Sequence, residues 1–119
     1  MAIDIQQIDQ VARILSVLGE PSRLRILSAL MEKPLSVNQI IAGTGLKQAN
    51  VSKQLSILYD AGLVARQREG VSVHYRIALP LLYDLCGLVC EGAREIAAQR
   101  LAAFDKSAQA VGQDKETLS

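Results

Sequence analysis

The fold of this chain is decided within residues 35–77, which read LSVNQIIAGTGLKQANVSKQLSILYDAGLVARQREGVSVHYRI. Apolar residues recur at helical spacing after Ser36, a residue type that commonly caps the N-terminus of a helix. Gly43 and Gly45 then supply the backbone freedom of a sharp turn, and a second periodic segment follows over residues 48–60. The sequence therefore predicts a helix-turn-helix.

The second of these helices has one apolar face and one face of amides, hydroxyls and lysine. Val51, Leu55 and Leu58 repeat at spacings of four and three, which predicts the buried face. The other face carries no acid before Asp60, whereas a solvated helix commonly alternates Glu with Lys. Such side chains suit base edges and phosphates, although a solvated helix that happens to lack acid is the alternative. The predicted DNA contacts on this helix are Gln48, Asn50, Ser52, Lys53, Gln54 and Ser56.

A basic hairpin is predicted directly after the second helix. Gly62 is expected to end that helix in a left-handed conformation, and two β-rich runs within residues 63–77 flank a turn at Glu69-Gly70. A hairpin in this place is typical of a winged helix-turn-helix, whose wing reaches phosphates or the minor groove beside the helix. The predicted contacts on the wing are Arg66, Arg68, His74 and Arg76. For His74, a structural or phosphate role is favoured over metal binding, because the chain has one histidine.

Three motifs, in this order along the chain, resemble the ArsR family of small dimeric bacterial repressors. They are GEPSRLRILSAL at 19–30, QANVSKQLSILYDAGLVARQREG at 48–70 and HYRI at 74–77. The resemblance extends over most of the chain, and the combination is far more specific than one helix-turn-helix match. It implies a homodimeric repressor of transcription that binds double-stranded DNA. Two recognition helices would read two half-sites, which predicts an imperfect palindromic operator.

The first motif contains two arginines, Arg23 and Arg25. The resemblance favours a role in phosphate contact, and solvation of an ordinary helix surface is an equally good interpretation.

Composition and charge fit a single small cytoplasmic domain. The chain has 119 residues, of which 50% are hydrophobic and 3% aromatic, so its core must be aliphatic. No run approaches the length of a membrane span, and the N-terminus does not resemble a signal peptide, so no membrane partner is expected. The net charge of +1 is distributed unevenly, because residues 47–76 hold five cations and two acids. The basic surface thus coincides with the predicted DNA-reading half.

Helices are also predicted at both ends of the domain. Within the N-terminal segment 1–18, an amphipathic helix is predicted over residues 5–18 with Asp4 as its cap, and a long helix over 80–104 carries two adjoining apolar stripes. The apolar surface of the two stripes is wider than packing against one face of the domain requires. We therefore expect a second copy of the chain to pack against it. The expected fold class is mainly α with a two-stranded β-hairpin wing. It is a winged helix-turn-helix over residues 1–106 that dimerises through its N- and C-terminal helices, with a flexible tail at 107–119.

The two cysteines suggest a sensor. Cys86 and Cys90 lie four residues apart, on neighbouring turns of one face of the last helix. Across a two-fold axis four sulfurs could converge, which would suit a thiophilic inducer such as arsenite, antimonite or another soft metal. A redox or sulfide-responsive switch without metal is the alternative, and burial as two small hydrophobic residues is as well supported.

The sequence departs from two patterns of the ArsR metal sensors. Many of them carry a Cys-x-Cys pair near the start of the helix-turn-helix, and this chain has no cysteine there. Its single histidine also excludes a histidine-rich zinc site. No cofactor is therefore required, and what remains is a sensor built from cysteines alone on the last helix, or a regulator with no metal.

No constellation of catalytic residues is recognisable, so we expect no enzyme. The sequence has no Gly-rich phosphate loop, no histidine near a candidate serine and no acidic cluster in a predicted cleft. A dithiol oxidoreductase would need cysteines at a helix N-terminus, and Cys86 is predicted well inside a helix. A winged-helix module that binds proteins is the remaining alternative, and the amide-and-lysine face argues against it.

Overall fold

Helices dominate the computed structural model, which describes residues 4–118 and, for burial, the side chains of residues 4–109. Residues 1–3 of the N-terminal segment and residue 119 of the predicted tail lie outside the described residues. The elements, in chain order, are α1 (Ile5–Leu18), α2 (Pro21–Leu30), β1 (Leu35–Ser36), α3 (Val37–Thr44), α4 (Gln48–Asp60), β2 (Val64–Glu69), β3 (Ser72–Ile77) and α5 (Leu81–Leu118).

The starts of the first helices follow from their capping residues. Asp4 accepts a hydrogen bond from the Gln6 amide at 2.7 Å and closes a capping box at α1. At α3 the Ser36 hydroxyl accepts from the Gln39 amide at 3.2 Å, while the Ser36 amide donates to the Gln39 side chain at 2.9 Å. The predicted caps Asp4 and Ser36 are thereby confirmed.

The sheet has three antiparallel strands in the order β1-β3-β2, where the sequence predicted a two-stranded hairpin. Strand β1 pairs with β3 through Leu35 opposite Tyr75 and Ser36 opposite His74. A strand of two residues is too short to show the alternation that identifies a strand in a sequence, so this prediction was incomplete. Strand β1 directly precedes α3, so its pairing with β3 connects the start of α3 to the wing.

The tip of the wing lies one residue beyond its predicted place. Glu69 pairs with Ser72, so the turn residues are Gly70 and Val71. Gly70 has φ of 62°, a conformation that favours glycine. Gly62 has φ of 79°, as the sequence predicted for the end of α4.

Aliphatic side chains from α2, α3 and α4 form the core, and the base of the sheet closes it. These three helices pack pairwise against one another. The side chains with essentially no exposed surface include Ile26, Leu27 and Leu30 of α2, Ile40 of α3, and Val51, Leu55 and Leu58 of α4. Helix α4 is therefore held along one side only, and its other side is free to meet a partner.

By its contacts the chain divides into two units, Met1–Pro80 and Leu81–Ser119, the second of which is α5. Helix α5 continues to Leu118, so the predicted end near Phe104 was wrong. No proline follows Phe104, and the Ala, Gln, Lys and Glu residues beyond it favour helix. The domain limits and the flexibility of residues 107–119 stay predictions. Within the described part of the chain, no helix has the length and apolar character that crossing a membrane requires.

Candidate nucleic-acid interface

Helix α4 presents a polar surface opposite its buried side. Gln48, Ser52, Lys53 and Ser56 are all exposed, at positions that the sequence predicted for DNA contacts. No acidic residue precedes Asp60 in the helix. The turn before α4 follows from Gly45, which ends α3 with φ of 72° and lets the chain reverse direction. The surface therefore offers hydroxyls, an amide and one cation to a groove of nucleic acid.

Gln54 does not lie on this surface, which corrects its predicted placement. Its side chain is 7% exposed and lies in the buried row of α4. Its amide nitrogen donates to Asn50 Oδ1 at 3.0 Å, and its oxygen accepts from Arg23 Nη1 at 3.0 Å. The signal was present in the sequence, because Gln54 continues the spacing of Val51, Leu55 and Leu58. Its polar character led the prediction to the wrong face.

Asn50 is half-buried at the edge of the same surface. Its amide nitrogen donates to the Ser22 hydroxyl of α2 at 3.3 Å, and its oxygen accepts from Gln54. Both polar groups of Asn50 are thus engaged inside the protein. Direct base contact by Asn50 stays a prediction, and the structure gives the side chain a second task in joining α4 to α2.

The cations of the wing are exposed but do not all lie on one face. Arg66 and Arg68 are two residues apart on β2 and therefore project to the same side of the sheet. Arg76 pairs with Ala65, a register that places it on the other side. The wing can thus present positive charge on both of its faces to a phosphate backbone that curves around it.

Arg66 connects the wing to α4. Its guanidinium carbon lies 4.2 Å from the centre of the Tyr59 ring, within the range of a cation–π interaction. Polar interaction with the Tyr75 side chain, followed by the charge interaction with Tyr59, raises the pKa of Arg66 above its ordinary value. Arg66 therefore helps to hold the hairpin against the end of α4. From the sequence, Arg66 is predicted only as a DNA contact.

His74 is half-buried in the central strand, with 29% of its side chain exposed. Its Nδ1 atom is buried and has no hydrogen-bond partner among the described residues. The nearest carboxylate oxygen, of Glu69, is 4.0 Å away, so an ion pair there requires a protonated imidazole. The burial of Nδ1 supports a structural role for His74, and its contact with a phosphate stays a prediction.

A polar groove adjoins the exposed face of α4 on the side of the wing tip. Hydroxyl and amide side chains from four elements, β1, α3, α4 and β3, and Val71 of the turn contribute to it. Its lining includes Ser36, Asn38, Gln48, Ser52, Val71 and Ser72. Ser36, Asn38 and Ser72 were not predicted as site residues, because they are scattered along the chain. The pairing of β1 with β3 brings them together. The groove extends the polar surface from α4 to the wing.

The two cysteines are free thiols on α5. Cys86 is half-buried and Cys90 is exposed. Burial, followed by the interaction with Cys90, raises the pKa of the Cys86 thiol above its ordinary value. A raised pKa lowers the thiolate fraction near neutral pH and slows direct reaction with oxidants.

Comparison with known proteins agrees with this architecture. Residues 20–66 match the family described as bacterial regulatory protein, arsR family. An uncharacterised HTH-type transcriptional regulator of Mycobacterium tuberculosis, Rv0081, is 33% identical over 95 residues, which cover 79% of this chain and 83% of the relative. The crystal structure of Rv0081 superposes with a TM-score of 0.73 at 30% identity, covering 84% of this chain and 99% of that one.

Two further relatives carry more specific descriptions. A probable mercury resistance operon repressor of Streptomyces lividans is 31% identical over 108 residues, covering 91% of this chain and 83% of the relative. The homodimeric winged helix-turn-helix DNA-binding domain of a possible ArsR-family regulator from Mycobacterium bovis is similar in structure. It has a TM-score of 0.67 at 38% identity, covering 74% of this chain and 82% of that one. The winged helix-turn-helix and the family resemblance predicted from the sequence are confirmed, and the chain belongs to the arsR family of bacterial regulatory proteins, as a DNA-binding regulator of transcription.

Proposed function

We propose that this protein is a homodimeric repressor that binds an imperfect palindromic operator and leaves it when a thiophilic inducer reacts with Cys86 and Cys90. The observation that carries the DNA-binding part is the exposed, acid-free face of α4 beside a hairpin with exposed arginines. The face supplies hydrogen-bonding groups for base edges, and the hairpin supplies cations for phosphates.

Dimerisation is supported by apolar surface at both ends of the chain. Helix α1 exposes Ile5, Ile8, Val11 and Leu15, four residues at helical spacing. Helix α5 separately exposes large apolar side chains along its length, among them Leu88, Val89, Ile96, Leu101 and Phe104. Stripes of this extent are characteristic of protein–protein contacts, and a symmetric copy of the same chain would cover them. The Mycobacterium bovis relative is a homodimer, which points the same way.

A salt titration tests the DNA-binding part. We expect the protein to bind a duplex selected from a random-sequence pool, with log K falling linearly against log salt concentration. The slope should be about −5, since each of roughly six neutralised phosphates contributes about −0.9. Fluorescence anisotropy of a labelled duplex gives the affinity at each salt concentration. A flat response, or no duplex recovered from the pool, would favour a module that binds proteins.

We infer that sulfur would hold an inducer at α5, since Cys86 and Cys90 are free thiols on this helix. Among the described residues, no group of three or more His, Cys, Asp and Glu side chains is placed to hold an ion. One chain therefore offers two thiols, and a second copy would supply two more. The Streptomyces lividans relative is named for mercury resistance, and mercury belongs to the soft ions that thiolates prefer. Binding of such an ion displaces the thiol protons, so the raised pKa of the Cys86 thiol predicts binding that strengthens as the pH rises.

Replacing both cysteines by serine tests the sensing part. The Cys86→Ser, Cys90→Ser variant should bind operator DNA within about threefold of the wild type, because neither thiol lies on the DNA-reading elements. The wild-type complex should dissociate with mercuric ion or arsenite, and the variant complex should not. Peroxide and polysulfide added in parallel distinguish a redox switch. Normal release from the variant, which has no other cysteine, would show that the thiols sense nothing.

A further inference from the structure

A chain of hydrogen bonds links α1 and α2 to the recognition helix. Arg23, in the first turn of α2, donates through Nε to the carbonyl oxygen of Val17 at 2.6 Å. Through Nη1 it donates to Gln54 Oε1 at 3.0 Å, and Gln54 donates onward to Asn50 at 3.0 Å. Asn50 returns to α2 by donating to the Ser22 hydroxyl at 3.3 Å. We call these four side chains, Ser22, Arg23, Asn50 and Gln54, the polar relay.

Each end of the polar relay satisfies a group that needs a partner. The carbonyl of Val17 belongs to the last turn of α1, where carbonyl oxygens accept no hydrogen bond from within the helix. The partial negative charge at this end of the helix also favours a nearby positive charge. Gln54 is buried in an otherwise apolar row, where an amide without partners is unfavourable. Arg23 meets both requirements at once because its guanidinium donates in two directions.

The polar relay also constrains how α4 lies on α2. The other buried side chains of α4 are aliphatic, and aliphatic packing has little directional preference. Hydrogen bonds at Asn50 and Gln54 are directional, so they restrict rotation and sliding of α4. Gln48 and Ser52 lie on the exposed side of the same rigid helix, and any rotation would move them relative to a DNA groove.

We propose that Arg23 is a positioning residue for operator binding, which acts through Gln54 and Asn50 to fix the orientation of α4 without contacting DNA. This inference rests on the proposed function, since it presupposes that α4 reads DNA. It replaces both interpretations of Arg23 that the sequence left open, because a side chain engaged with Val17 and Gln54 is neither a solvated cation nor a free phosphate ligand.

Three variants separate positioning from charge. Arg23→Met removes the donors and the charge, whereas Arg23→Lys keeps the charge but cannot bridge two acceptors in the same geometry. Gln54→Met removes the middle of the polar relay and leaves Arg23 in place. The matched control is Arg25→Met, two residues away on the same helix, since the exposed Arg25 makes no side-chain hydrogen bond among the described residues.

We expect each of the three variants to bind the selected operator about tenfold more weakly and a scrambled duplex of equal length within about threefold of the wild type. Arg23→Met combined with Gln54→Met should lose no more than either alone, because both break the same linkage. Arg25→Met should leave the ratio of the two affinities unchanged. Thermal unfolding identifies any variant that does not fold, and Gln54→Met then stands in for Arg23→Met.

Wild-type affinity in Arg23→Lys would overturn the proposal in favour of a phosphate contact. Unchanged operator affinity in Gln54→Met would overturn the proposal as well. So would a fall in the ratio of operator to scrambled-duplex affinity in Arg25→Met that equals the fall in the Arg23 variants. All of these outcomes leave operator binding by the wild type intact. A wild type that binds no selected duplex would instead refute the proposed function itself.

Discussion

Replacing Lys53 by glutamate should weaken operator binding by about a hundredfold while leaving the unfolding temperature nearly unchanged. Lys53 is exposed on the polar face of α4 and is the one cation within that helix. In the proposed dimer the substitution removes two positive charges that face phosphates and adds two negative ones. Fluorescence anisotropy with the selected duplex measures the loss, and thermal unfolding shows that the fold is intact.

The control for this prediction is Lys106→Glu. Lys106 is exposed on α5, so the variant has the same change in net charge at a residue that belongs to neither the helix-turn-helix nor the wing. We expect it to bind the operator within about threefold of the wild type. Equal losses in the two variants would mean that overall charge, and not the face of α4, governs binding.

The second large effect concerns the core beneath the recognition helix. Leu27→Ala should lower the free energy of unfolding by about 2–5 kcal/mol, because Leu27 is fully buried on α2 and its removal leaves a cavity. This is a large share of the roughly 5–15 kcal/mol that stabilises a domain of ordinary stability. Urea unfolding at one fixed protein concentration measures the change, since a dimer's stability depends on concentration.

Leu24→Ala, on the same helix, is the matched control. Leu24 is 43% exposed, so the same chemical change should lower the free energy of unfolding by less than about 1 kcal/mol. Similar losses in the two variants would contradict the assignment of the core to the side of α2 that carries Leu27.

Much of the fold was predictable because its signals are local. Asp4 and Ser36 are capping residues followed by periodic apolar residues, and both open helices as expected. Gly62 has the positive φ that the end of α4 requires, and the order of helix-turn-helix and wing is as the sequence indicated.

The errors come from interactions between parts of the chain that are distant in sequence. Strand β1 exists because Leu35 and Ser36 pair with β3 some forty residues later, and two residues carry no pattern of their own. Gln54 follows the spacing of the buried row, but its amide oxygen is satisfied by Arg23, 31 residues earlier in the chain, which residue type alone cannot reveal. The groove that includes Ser36 and Ser72 has the same origin.

The candidate site was predicted in outline and not in its division of tasks. Gln48, Ser52, Lys53 and Ser56 form the exposed face foreseen for α4. Arg66 is engaged with Tyr59, and this contact depends on how the hairpin lies against the end of α4. A pairing of that kind needs the register of β2 and β3, which the sequence placed one residue away at the turn.

In the function proposed above, the exposed face of α4 and the adjoining wing contact duplex DNA. The most direct measurement is a titration of ¹⁵N-labelled protein with the selected operator, followed by backbone amide chemical shifts. We expect the largest chemical-shift changes and line broadening within residues 48–56 and 66–76. Changes confined to a separate groove lined by residues of α2 and α3, among them Ser28 and Gly43, with the amides of α4 unaffected, would contradict this expectation.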